Sequence, residues 1–284
     1  MNRELNFSGN SPLLYLISTP IGNLSEFSPR AKQIVEECDY VACEDTRNSS
    51  SLLSHFGIKK QMISCHEHNE QEAATQIIAL LQEGKKVVYM SDAGYPGISD
   101  PGERLVNRAI EAGIKVSVVS GPSAFLAALV ISGLPADHFH FEGFLPVKES
   151  EKAARLNDLS KNPDTLIFYE APHRIVKTLI AMAATLGDRR ATLTREITKA
   201  HEEVIRGTLA ELAILPEESL KGEMVIVVEG NKEKIEIDDQ TIAFALKDQL
   251  EYGRKGKEAI KMVSESLSVP KNRVYEIYLK TFGK

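Results

Sequence analysis

No apolar run in the 284 residues approaches the roughly 18 that a membrane-spanning helix needs, so no membrane role is expected. Met1 to Ser11 has neither an apolar h-region nor a cleavage pattern, which predicts a cytoplasmic protein. Cysteine is scarce as well. Cys38, Cys43 and Cys65 have no CxxC spacing and lie in or beside apolar segments, as small buried residues in a reducing compartment do. Both common phosphate fingerprints are missing: no Lys-Ser/Thr follows a glycine-rich turn, which excludes a P-loop, and the G-x-G-x-x-G order of a Rossmann turn is absent. No internal repeat or low-complexity tract is present. With 43% hydrophobic and 26% charged residues, the composition is that of an ordinary globular protein long enough for two domains.

Charge is distributed unevenly. Residues 252–284 hold eight Lys/Arg against three Glu, a net of +5, so a chain of net charge −6 carries −11 on residues 1–251. A basic tail behind an acidic body suits contact with a polyanion, although charged surface helices are commonly just solvated.

Hydrophobic periodicity predicts strands at Leu13–Ser18, Tyr40–Cys43, Gln61–Cys65, Lys86–Met90 and Lys115–Ser120, with helices near 29–37, 47–56, 70–83 and 103–112 between them. This βαβ alternation implies a largely parallel sheet with right-handed crossovers. An apolar helix follows at Phe125–Ile131. From about Phe139 the texture changes, with strands at 138–141, 165–169, 191–195, 203–208 and 224–229 and two helices, which predicts a second α/β region with antiparallel pairs. Residues 231–240 read as a linker. Helical patterns at 241–251, 256–267 and 271–280, broken at Ser268-Val269-Pro270, suggest a small helix-turn-helix.

The strand ends are where chemistry is expected. Ser91 to Gly102, SDAGYPGISDPG, places three glycines, two prolines, Asp92 and Asp100 at the end of a buried strand, a composition suited to close backbone approach to a ligand. Thr19 to Leu24 and Gly121 to Ala124 end two further strands, so three loops should gather at one sheet edge. Ser120 to Phe125 has the setting of a nucleophile elbow, but Phe125 replaces its last glycine. The milder reading makes Ser123 a helix cap whose hydroxyl and amides face a ligand. Cys65-His66-Glu67-His68 lacks a second ligand pair and reads as a polar strand end, so no metal is expected. Charged clusters occur at Glu44 to Arg47, at Glu170 to Arg174 and at Arg195 to Lys199. Thr46 and Pro172 suit helix starts, which leaves Arg47, His173 and Arg174 to form a polyanion-contacting rim.

Eight ordered blocks carry a family resemblance: TPIGNLSEFSPRA (19–31), CEDTRNSSSLL (43–53), SDAGYPGISDPG (91–102), SGPSAFLAAL (120–129), FEGFLP (141–146), FYEAPHR (168–174), TREITKAHEEVIRGTL (194–209) and KGEMVIVVEG (221–230). They resemble the bacterial small-subunit ribosomal RNA 2′-O-methyltransferase I family of the tetrapyrrole-methylase superfamily. The resemblance implies a two-domain α/β tetrapyrrole-methylase-like fold with a small helical C-terminal segment. It divides the chain into an N-terminal α/β domain (1–121), a second α/β domain (122–232) and a basic, helix-turn-helix-like tail (233–284). S-adenosylmethionine is expected in the cleft between the first two, with a homodimer as the assembly. The implied reaction methylates the ribose 2′-hydroxyl of a cytidine in the decoding region of 16S ribosomal RNA, free or within the small subunit.

By motif, Pro20, Asp92, Ala93, Gly94, Ile98, Ser120, Gly121, Ser123, Phe168, Tyr169, Gly222, Glu223 and Met224 fall on the superfamily's cofactor-binding stretches. Arg195, Glu196 and Lys199 are the catalytic candidates, because a 2′-hydroxyl needs a proton acceptor as it attacks and RNA brings phosphates to be held. Extended geometry would put 195 and 199 on one face and 196 on the other. Arg47, His173, Arg174, Lys255 and Lys257 are the RNA-binding candidates. Two rivals stand beside this reading: a tetrapyrrole methyltransferase sharing the cofactor loops, and a DNA-binding regulator acting through the C-terminal helices.

Overall fold

The computed structural model describes residues 5–6, 13–232, 238–267 and 269–283. Most of the Met1 to Ser11 segment, positions 233–237 of the expected linker, Ser268 of the expected helix break and Lys284 of the basic tail lie outside the described residues. The chain forms two compact units, Met1–Asn231 and Lys232–Lys284.

The first unit contains two five-stranded sheets. One consists of β1 (Leu13–Ile17), β2 (Tyr40–Cys43), β3 (Gln61–Ser64), β4 (Val87–Met90) and β5 (Lys115–Val119), in the order β3-β2-β4-β1-β5. All its pairings are parallel. Helices cover both faces, which is why β4 is apolar at every position and buried throughout. Leu14, Ala42 and Tyr89 pack with α3 (Glu70–Gln82) and α4 (Glu103–Glu111). Ile17, Val41 and Val88 pack with α1 (Pro29–Glu37) and α2 (Thr46–His55). Local chemistry starts these helices where the chain needs them. Ser28 accepts from the Ala31 N–H at 3.1 Å with Pro29 behind it, and Asp45 accepts from the Arg47 N–H at 2.8 Å.

The second sheet consists of β6 (Phe139–Phe144), β7 (Thr165–Glu170), β8 (Arg190–Arg195), β9 (Glu203–Thr208) and β10 (Met224–Val228), in the order β6-β7-β10-β8-β9. Only β6 and β7 pair in parallel; the other neighbours are antiparallel. Side chains alternate between its two faces. Phe168, Leu193 and Ile226 pack under α6 (Glu149–Leu159), α7 (Ile175–Leu186) and α8 (Leu209–Ala213). Ile167, Val225 and Val227 meet the apolar α5 (Ala124–Ser132) together with Ile21 and Ile197.

Two local expectations need correction. Pro172 does not start α7: residues 172–174 form a turn and the helix begins at Ile175. The short α8 was not expected, although Thr208 and Glu211 form a capping box that announces it.

The second unit comprises α9 (Asp239–Glu251), α10 (Gly256–Ser266) and α11 (Lys271–Phe282), which share a core of Ile242, Leu246, Ile260, Val263, Val274 and Ile277. Among the described residues, no helix is long and apolar enough to cross a membrane.

Candidate active site

Because β1 lies between β4 and β5, the loops leaving their C-terminal ends are neighbours, and polar contacts tie them together. The Thr19 and Gly94 backbones exchange hydrogen bonds of 2.9 and 3.1 Å. The Ser18 hydroxyl donates to the Pro122 carbonyl at 2.7 Å, and the Gly121 N–H donates to the Tyr95 hydroxyl at 3.0 Å. The three strand-end loops therefore form one connected surface, as open α/β sheets present to ligands.

Facing that surface, the ends of β6, β7 and β10 complete a cleft of about 340 Å³. Ala93, Gly94, Ile98, Ser123, Tyr169, Glu223 and Met224 line it. The remaining cofactor candidates are placed differently. Pro20, Ser120 and Gly121 lie in the strand-end loops without lining the cleft, and Gly222 backs onto Glu196. Phe168 turns its side chain into the helix-covered core, fully buried, and does not line the cleft. Ser123 precedes α5, yet its hydroxyl makes no capping bond and borders the cleft.

The two aspartates of this loop are placed differently. Asp92 accepts from the Asn48 side-chain amide at 2.7 Å and from the Asp45 N–H at 3.3 Å, which fastens the loop to the start of α2. Asp100 lines the cleft. Burial pushes its carboxyl up to about 6, nearby Glu44 and Asp92 add to the shift, and the Ser91 hydroxyl opposes it. Tyr95, Phe144 and Glu170 also border the cleft and were not foreseen; the FEGFLP and FYEAPHR blocks contained the signal for the last two.

The catalytic candidates do not follow strand geometry. Glu196 and Thr198 adopt φ of 51° and 67°, so the chain leaves β8 in a tight turn. This brings Glu196 and Lys199 together. The Lys199 ammonium lies 3.0 Å from Glu196 Oε1 and 2.9 Å from Glu223 Oε2, and Glu196 Oε1 also accepts from the Glu223 N–H at 2.9 Å. Arg195 is directed elsewhere, to an ion pair with Glu203 on β9. The Glu223 N–H and the Lys199 ammonium hold the Glu196 carboxyl below its usual range. Partial burial works against the Lys199 charge, but Glu223 and Glu196 outweigh it and the ammonium titrates above an ordinary lysine. Lys199 is thus a fixed cation beside the cleft-lining Glu223.

Residues 13–213 match the tetrapyrrole (corrin/porphyrin) methylase family. Sequence relatives include ribosomal RNA small subunit methyltransferase I of Halalkalibacterium halodurans, 42% identical over 93% of this chain and 94% of that protein. The protein of the same name from Bacillus subtilis is 41% identical over 98% of both chains. The chain belongs to the ribosomal RNA small subunit methyltransferase I family, within the tetrapyrrole methylases. The crystal structure of the methyltransferase CobJ shares the fold at a TM-score of 0.59, with 19% identity over 79% of this chain and 96% of that one. Uroporphyrin-III-C-methyltransferase from Thermus thermophilus does so at 0.53, with 21% identity over 76% and 94% of the respective chains.

The family uses S-adenosylmethionine, and the cleft fits it. Gly94 brings backbone close to the cleft, Ile98, Tyr169 and Met224 offer apolar surface, and Asp100 and Glu223 supply negative charge suited to a cationic sulfonium and ammonium.

The RNA-binding candidates divide by where their charge is directed. The Arg47 side chain is 88% exposed and pairs with Asp45 at 2.6 Å, and His173 is exposed. Arg174 faces inward: its guanidinium lies 3.2 Å from the buried Glu170 and donates to the Leu145 carbonyl at 2.8 Å, so its contacts hold the loop together. In the second unit, Lys255 and Lys257 are exposed at the start of α10. Among the described residues, no group of three or more His, Cys, Asp or Glu is placed to hold a metal ion.

Proposed function

We propose that the protein transfers the methyl group of S-adenosylmethionine to the ribose 2′-hydroxyl of a cytidine in the decoding region of 16S ribosomal RNA. The observation that carries this reading is the Lys199–Glu196–Glu223 network at the cleft, in a chain whose relatives are named for methylating the small-subunit RNA. In this reading the cleft separates an N-terminal domain (1–121) from a second domain (122–232). The positive charge of residues 252–284, a net of +5, grips RNA, and the protein works in the cytoplasm as a homodimer. The exposed Leu126 and Val130 of α5 supply apolar surface for self-association.

When bound, the cofactor supplies an electrophilic methyl group. The chain's own residues then mainly align the ribose oxygen and stabilise its developing charge. Lys199 is suited to the second task, because its charge is held beside the cleft. Glu196 fixes Lys199 and the Glu223 backbone, and Glu223 accepts the 2′-hydroxyl proton. Ala93, Gly94, Ile98, Ser123, Tyr169 and Met224 contact the cofactor; Pro20, Asp92, Ser120, Gly121, Phe168 and Gly222 shape the backbone around it. Arg195 orients β9, while Arg47, His173, Lys255 and Lys257 hold the RNA backbone.

A tetrapyrrole substrate is the second reading, favoured by the solved structures of similar fold. Incubating the protein with labelled cofactor and either small-subunit RNA or a porphyrinoid separates the two. Label on the RNA ribose supports the first reading, and label on the porphyrinoid overturns it.

A further inference from the structure

β6 carries Phe139, Phe141 and Phe144, and strict alternation would put Phe144 on the face opposite the other two. A bulge prevents this. The register with β7 shifts between Phe141 and Gly143, which leaves Glu142 unpaired, and Gly143 takes φ 75°, a conformation other residues rarely adopt. The bulge is anchored on its outer side by Glu142, which accepts two hydrogen bonds of 2.6 Å from Arg155 and lies 2.8 Å from His140. Phe144 consequently emerges on the side of Tyr169, with ring centroids 5.5 Å apart, while Phe141 meets the same Tyr169 ring at 5.0 Å. Phe125 stacks behind Phe141 at 4.4 Å.

This ladder ends in an open ring at the mouth of the cleft. Phe144 is 55% exposed, whereas the cleft-lining Met224 is 3% exposed. The Asp100 loop closes on the bulge from the other side: a methyl group at Gly143 would lie 3.3 Å from Ser99 Oγ. An aromatic face at the rim, with a rigid aromatic behind it and the Glu223 carboxylate bordering the same cleft, has the chemistry of a base-stacking platform.

We propose that Phe144, backed by Tyr169, stacks the base of the nucleotide to be methylated and so presents that nucleotide's ribose to the cleft. The inference rests on the RNA reading above. It differs from a role in cofactor binding, since the ring stands at the rim, and from sequence readout, since every base has a π-face.

The test uses the full-length protein, 16S ribosomal RNA carrying a fluorescent cytidine analogue at the target, and calorimetry with S-adenosylmethionine. Wild type should quench the analogue on binding. Phe144→Leu, which keeps bulk but removes the ring, should abolish quenching, leave cofactor affinity unchanged and lower kcat/KM for RNA by about 5- to 150-fold. Phe144→Tyr should restore both quenching and rate. Wild type that methylates RNA without quenching, or Phe144→Leu with an unchanged kcat/KM, overturns the stacking proposal alone. Parallel loss of cofactor affinity reassigns the ring to the cofactor and overturns it too. Wild type that transfers no methyl to this RNA, either free or assembled into the small subunit, overturns the underlying reading together with this one.

Discussion

The stem of Lys199 lies on Gly22, such that a methyl group at residue 22 would sit 2.6 Å from Lys199 Cε. The loop after β1 and the turn after β8 are joined there, and the ammonium reaches Glu196 and Glu223 from that position. Gly22 also has φ 137°, which disfavours any side chain. Gly22→Ala is therefore expected to displace Lys199 and to destabilise the protein by ~1–3 kcal/mol. Urea unfolding and single-turnover methylation should both report the change; a variant with wild-type stability and rate would show that the contact has no role.

Lys199→Met removes the charge while keeping the apolar stem on Gly22. Calorimetry should give a near-normal cofactor affinity, and the single-turnover rate on RNA should fall by ~10²–10⁴-fold if the network acts at the transfer step. Glu223→Gln should lose rate in the same range, whereas Arg195→Ala, whose side chain is joined to Glu203, should lose less. Equal losses for all three would assign the cluster to folding instead of transfer.

The first sheet was legible because its strands are buried on both faces. Val87–Met90 is apolar at every position, and the glycine- and proline-rich segments mark where such strands stop. The site was legible as stretches and less so as side chains. Asp92 and Asp100 are equivalent in the SDAGYPGISDPG pattern, and only the path of the loop decides that one fastens α2 while the other meets the cleft. The Lys199–Glu223 pair depends on φ of 51° and 67° at Glu196 and Thr198, and no propensity announces a left-handed turn at such residues. Phe144 was hidden for a similar reason, since a bulge reverses the alternation from which its face would be read.

Asp100 makes stability depend on pH in a defined direction. Its folded pKa of about 6 lies above the ordinary 3.8, so the native chain holds this proton more tightly than the unfolded chain. The carboxyl opposes folding above about pH 6, and the penalty fades as pH falls through that value toward about pH 4. Asp100→Asn should raise Tm at neutral pH, with the difference from wild type vanishing near about pH 4. A calorimetric difference that stays constant across this range would place the carboxyl in water.

Lys255→Ala with Lys257→Ala tests the positive charge of residues 252–284. If both lysines meet phosphates, RNA affinity should fall and the salt dependence, log K against log salt, should flatten by about 0.7 per lost contact for single-stranded RNA. Cofactor affinity should not change. An unaltered slope would leave the second unit without a part in RNA binding.

The most direct test of the central claim is a ribose-methylation map of 16S ribosomal RNA from cells lacking this protein, before and after addition of the purified protein with S-adenosylmethionine. One 2′-O-methylcytidine in the decoding region should be missing before the addition and restored after it. An unchanged map, or a restored methyl group found on a base instead of a ribose, would contradict the account.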